Sequence, residues 1–78
     1  MPKPKPVTKE AQRAIDRAFE CLKKHPELGR VFKKDLVALE SHESNGLVRT
    51  ALVRDKYSKR TFACGETSYS YFEAVVVD

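Results

Sequence analysis

Apolar positions recur at three- and four-residue intervals in the first third of the chain and give way to a strand-like mixture in the second half. Ala11, Ile15, Ala18, Phe19 and Leu22 make one stripe, and Arg13, Asp16, Arg17, Glu20, Lys23 and Lys24 take the remaining face. That is the period of an amphipathic helix. Thr8 stands as its N-cap, with Glu10 in the first turn where the helix dipole favours an acid. Pro26 ends it and pushes His25 away from helical angles. The spacing predicts a helix over residues 8–25. Residues 26–29 read as a turn, with Gly29 free to take a positive φ. Residues 30–41 are ambiguous. Leu28, Phe32, Leu36 and Leu39 keep helical spacing, whereas Leu36-Val-Ala-Leu39 also reads as the start of a strand. A helix fits the two-turn spacing slightly better.

Beyond this point the pattern changes. Residues 42–46 form a loop closed by the turn dipeptide Asn45-Gly46. Val, Thr, Tyr and Phe then become common, as strands prefer. Residues 47–54 give one strand, 55–59 a polar turn and 60–65 a second strand paired with the first as a hairpin. Residues 66–68 turn again, and residues 69–77 give a third strand. Val75-Val76-Val77 is apolar on both faces, which suits a central strand or one paired with another chain. The expected class is α+β: one or two N-terminal helices followed by a three-stranded antiparallel β-meander. Residues 8–78 would form a single small domain, preceded by a flexible arm over residues 1–7, where Pro2, Pro4 and Pro6 alternate with lysine.

Length bounds what this arrangement can do. Seventy-eight residues, 41% of them apolar, allow one core but leave little room for a deep, enclosed active site beside it. No apolar run approaches the roughly 18–20 residues of a membrane span. Charged residues follow the Pro/Lys arm where a signal peptide would place its apolar segment, so a cytoplasmic location is expected. Two isolated cysteines, Cys21 and Cys64, do not make the framework of a secreted scaffold, and buried thiols are the ordinary account of them.

Charge adds more, because it is uneven. The formal net charge is +4, but residues 1–34 are strongly basic, and residues 61–78 carry acids only. In the second half every cation lies between Arg49 and Arg60. Arg49, Arg54, Lys56, Lys59 and Arg60, with Tyr57 among them, mark the predicted hairpin as a candidate nucleic-acid surface. Cations displace counterions from phosphates, and an aromatic ring can stack on a base. Arg13, Arg17, Lys23 and Lys24 of the helix extend the candidate set. Such charges also serve solubility, and Asp16 and Glu20 sit where they partly neutralise Arg13 and Lys24.

Other chemistries find less support. Cys21, His25, His42 and Cys64 are zinc-type ligands but lack the tight paired spacings that give zinc motifs their specificity. Cys64 with His42 and one of Glu40, Glu43 or Glu66 makes a conceivable nucleophilic triple, yet no local sequence marks a nucleophile turn. Gly29, Gly46 and Gly65 are isolated, so no phosphate-cradling loop is present. No metal, cofactor or catalytic set is therefore expected, and the expected role is not enzymatic.

Three kinds of partner remain. The first is nucleic acid or a nucleoprotein, met by a small regulatory binding protein through the hairpin and helix. The second is a protein, bound by an inhibitor or adaptor of the phage or mobile-element type through Tyr69, Tyr71 and Phe72. The third is a second copy of the chain, forming a homodimer through the last strand and so hiding its edge. No membrane partner is expected. Finally, an amphipathic helix ending in His25-Pro-Glu-Leu-Gly-Arg30, followed by antiparallel strands, resembles the middle of ParE/RelE-type toxins. The resemblance implies a compact helix-plus-sheet partner of an antitoxin that acts on gyrase or ribosome-bound RNA. The proline-rich arm departs from that family's pattern, and no catalytic set is carried over.

Overall fold

The computed structural model describes residues 8–66 and 72–77. The expected arm at 1–7, Tyr69 and Tyr71 lie outside the described residues. Helix α1 spans Lys9–Lys23. Two single-turn 3-10 helices, Pro26–Leu28 and Lys33–Asp35, follow. Strands β1 (Leu36–Ser44), β2 (Leu47–Asp55), β3 (Thr61–Glu66) and β4 (Phe72–Val76) then form one antiparallel sheet in sequence order. The α+β class holds, with one helix and four strands where three were expected.

Helix α1 forms for the reasons its sequence gives. Thr8 is extended, and its hydroxyl accepts from Ala11 N–H at 3.0 Å, replacing one of the bonds a helix start lacks. The helix ends at Lys23, two residues before the predicted limit, with Lys24 as its C-cap, because His25 adopts φ −125° and ψ 66° ahead of Pro26. Its buried stripe is Ala14, Ile15, Ala18, Cys21 and Leu22. Ala11 and Phe19, expected in the stripe, are only half-buried.

The largest correction concerns residues 30–41. The second helix does not form beyond the turn at Lys33–Asp35, and Leu36 opens a nine-residue strand. The helical spacing of Phe32, Leu36 and Leu39 was coincidental. Only Leu36 is buried, whereas Phe32 and Leu39 are 45% and 51% exposed. Pairing with β2 satisfies the backbone groups of Leu36–Ser44 that face it, and that long-range gain overrides a weak local pattern. The expected loop at 42–46 shrinks to the turn at Asn45-Gly46, both with positive φ (52° and 75°), the conformation two-residue hairpins require.

Two bulges set which side chains meet the helix. Register shifts leave Leu39 as an extra residue in β1 and Arg49 as an extra residue in β2. Beyond the first, Ser41 and Glu43 join Leu36 and Ala38 on the helix side, opposite Ala51 and Val48. The core comprises the α1 stripe with Leu36, Val48, Ala51, Val53, Phe62, Cys64 and Ala74. Phe62 and Val53, directly paired, are fully buried.

No helix is long and apolar enough to cross a membrane, among the described residues. Because Phe62 fills the centre of a small core, Phe62→Ala is expected to cost about 3–5 kcal/mol. Urea unfolding followed by circular dichroism checks this, and a loss below about 1 kcal/mol would contradict the packing described.

Candidate nucleic-acid interface

The hairpin joining β2 to β3 is organised by one buried carboxylate. Asp55 is 3% exposed. Its side chain accepts from Tyr57 N–H at 2.9 Å and from the Ser58 hydroxyl at 3.1 Å. Its backbone is held at both ends of the turn: Asp55 N–H donates to Arg60 O at 2.9 Å, and Lys59 N–H donates to Asp55 O at 2.7 Å. This turn, with Asp55 bonding the backbone two residues on, places Lys59 at φ 63°. Lys56, Tyr57, Lys59 and Arg60 remain on the surface, and Tyr57 is 86% exposed.

The hairpin is also stitched to the segment before β1. Lys56 N–H donates to Asp35 O at 2.9 Å, and the Arg60 guanidinium donates to Leu28 O at 2.8 Å. Gly29, at φ 99°, lets the chain turn there; a Cβ at this position would stand 3.3 Å from the Arg60 guanidinium. These contacts bring Arg30, Phe32 and Lys34 to the hairpin end of the sheet. Arg30 lies 5.1 Å and Lys34 6.0 Å from the centroid of the half-exposed Phe32 ring, within cation–π range. Sequence reasoning missed these three because it placed them in a helix; the run Arg30 to Lys34 was the available signal.

Among the described residues, Arg30, Lys34, Arg54, Lys56, Lys59 and Arg60 have no carboxylate within ion-pair distance. One end of the sheet thus carries six uncompensated cations and two exposed aromatic rings. Lys33, at the same end, is paired with Asp16, whose carboxyl its hydrogen bond holds below the ordinary value.

The other candidate cations are placed differently. Arg13 makes a two-pronged bond to Glu43 at 2.6 and 3.0 Å, beside the β1–β2 turn at the opposite end of the sheet. This raises the Arg13 guanidinium and lowers Glu43. Arg49, the bulge residue, donates to both carboxylate oxygens of Glu66 from one nitrogen, Nη1, at 2.9 and 3.1 Å. Arg17 stacks 4.3 Å over Phe72. Lys23 pairs loosely with Glu20 at 3.6 Å, and Lys24 caps the helix. Phe72, proposed from sequence as a protein contact, is half-buried and packs on the core.

Cys21 and Cys64 are both reduced and buried. Burial, with the neighbouring Cys21 adding to it, pushes the Cys64 thiol up to about 12, and burial raises Cys21 as well. Among the described residues no three His, Cys, Asp or Glu side chains cluster as a metal site needs. No family model, curated protein or solved structure matches the chain.

Two expectations follow. Asp55→Ala removes the charged acceptor that holds the part-buried Tyr57 N–H and Ser58 hydroxyl and should cost about 1–3 kcal/mol, read by urea unfolding. The second concerns acid. Glu43 is held below its ordinary 4.5 by the Arg13 hydrogen bond. A depressed carboxylate stabilises the fold above its unfolded value and loses that contribution as pH falls through the folded one. Stability should therefore decline below about pH 4.5, and Glu43→Gln should make the decline shallower; an unchanged profile would remove the pair from the account.

Proposed function

We propose that this chain is a small, non-catalytic regulatory binding protein that docks on nucleic acid or a nucleoprotein through its hairpin end. One observation carries the reading: Arg30, Lys34, Arg54, Lys56, Lys59 and Arg60 converge on one end without carboxylate partners among the described residues, while Arg13 and Arg49 at the far end are tied to acids. Charges left uncompensated on a rigid turn gain most from phosphate contact, because each one releases a condensed counterion. Tyr57 and Phe32 supply faces on which unpaired bases can stack. A binding role is supported further by the thiols, the usual small-protein nucleophiles, which are buried and held protonated.

A protein-directed role is the second reading. The sheet face away from α1 is open, and Val37, Leu39 and Val75 stand exposed there or at its edges, an apolar surface of the kind that suits a protein partner.

Fluorescence anisotropy with mixed DNA and RNA oligonucleotides across about 50–200 mM salt separates the two. Micromolar binding that weakens steeply with salt is expected. Joint neutralisation of Arg54, Lys56, Lys59 and Arg60 to glutamine should lower the slope of log K against log salt by about 3 to 4 if all four meet phosphates. Tyr57→Ala should cost about 1–3 kcal/mol on single strands with little change in slope. Absence of binding at the lowest salt would overturn this function and transfer the search to a protein partner.

A further inference from the structure

Among the described residues, strand β4 is an edge of the sheet, and it is built unlike the other edge. Its Val75 and Val76, with the following Val77, are 56%, 40% and 51% exposed. The strand contains no lysine, arginine or proline, and it pairs with β3 from Glu66↔Phe72 to Phe62↔Val76 without a register shift. The opposite edge, β1, carries Glu40, His42 and Glu43 and a bulge at Leu39. Charges and bulges are the devices by which sheets discourage further pairing. The β1 edge is guarded along its length, whereas β4 carries one charge, Glu73 near its start, and is flat and apolar from Ala74 onward.

Hydrogen-bond direction fixes what β4 offers. Val77 N–H donates to Thr61 O at 3.0 Å. By the alternation of an antiparallel ladder, Glu73, Val75 and Val77 bond to β3, and Ala74 and Val76 turn their N–H and C=O groups to the free edge, while the Phe72 carbonyl accepts from the Cys21 thiol at 3.2 Å. We propose that a second copy of this chain pairs with β4 antiparallel, about a twofold axis at Val75.

In that register Ala74 exchanges two hydrogen bonds with the partner's Val76, and Val76 does the same with the partner's Ala74, so four outward backbone groups of each copy are satisfied. Val75 meets its own counterpart, and Glu73 falls opposite the partner's Val77. No like charges are opposed. The strand's own composition selects this occupant. Antiparallel self-pairing covers valine with valine, and residues 61–77 carry no Lys or Arg, so the net positive charge of the chain does not meet itself at the contact. The shared surface is an isologous one, the commonest kind in soluble oligomers. A single short strand buries less than the about 1,200–2,000 Å² of a standard interface, so the association is expected to be reversible and concentration-dependent.

The proposal stands independently of nucleic-acid binding, and sedimentation velocity on the full chain between about 5 and 500 µM tests it. Wild type should pass from monomer to dimer across that range. Val76→Pro removes an outward donor while leaving the β3 ladder intact, and it should stay monomeric with an unchanged circular dichroism spectrum. Val75→Lys sets two ammonium groups against each other and should weaken association at least tenfold; it serves where the proline variant fails to fold. Leu39→Lys, at the guarded edge, should leave the dimer unchanged. The amides of Ala74 and Val76 should gain protection from hydrogen exchange as concentration rises. A wild type that remains monomeric at the highest concentration overturns the proposal and leaves the edge to a foreign strand. A dimer that survives Val75→Lys, or one that Leu39→Lys abolishes, overturns it as well.

Discussion

A single amphipathic helix must cover a four-stranded sheet, and most features of this molecule follow from that constraint. Fifteen helical residues extend about 22 Å, while four strands measure about 14 Å across, so one helix suffices only by crossing the strands. It does so, with Arg13 meeting β1 through Glu43 and Cys21 meeting β4 through Phe72 O at 3.2 Å. Small side chains on both sides, Ala14, Ala18 and Cys21 above, Ala51, Cys64 and Ala74 below, suit a close approach of the two layers. What one helix cannot cover is equally determined: the second sheet face, the strand edges and both ends of the hairpins remain to be satisfied by other means.

Those other means differ from end to end. Near the β1–β2 turn, carboxylates answer the guanidinium groups of Arg13, in two-pronged geometry, and of Arg49, through a single nitrogen. Exposed pairs of this kind contribute little to stability, but they fix side-chain position and cancel charge. Near the β2–β3 turn the acids are spent differently. Asp55 turns its carboxylate inward to hold backbone donors, and Asp35 contributes its carbonyl to Lys56. The cations there stand outside any ion pair among the described residues. The asymmetry therefore arises from how the turns are built, since one hairpin closes with Asn45-Gly46, whose backbone conformation needs no carboxylate, and the other closes around an aspartate.

How much was legible in the sequence follows from the range of the interactions involved. Helix α1 was readable because its cap, stripe and terminating proline lie within eighteen residues of one another and each acts locally. The β2–β3 hairpin was readable for the same reason. Strand β1 was not, because its strand character comes from pairing with β2 and its bulges hide the alternation that would have revealed it. Arg49 belongs to the strand as predicted, yet the β2–β3 register that pairs Thr50 with Gly65 sets it beside Glu66, at the far end of the strand from the β2–β3 turn. Arg30, Phe32 and Lys34 reached the basic end only through contacts with Leu28 O and Asp35 O, which no local pattern encodes.

The valine run at the end of the chain shows how a sequence signal and a fold can be read against each other. Apolar residues on both faces admit two accounts, a central position or a pairing with another chain. In the structure β4 is at the edge, and α1, lying across one face, leaves Val76 40% exposed even on the helix side. Extending the helix would not help, since the exposed groups are backbone as well as side chain, and only a strand can supply both donors and acceptors along an edge. The physical requirement is thus specific in kind: an extended, apolar segment, antiparallel or parallel to β4. Of the segments known to be present at equal concentration wherever this chain occurs, β4 of another copy is the one that meets it, and a twofold pairing through Val75 would place the two basic ends on opposite sides of a continuous sheet.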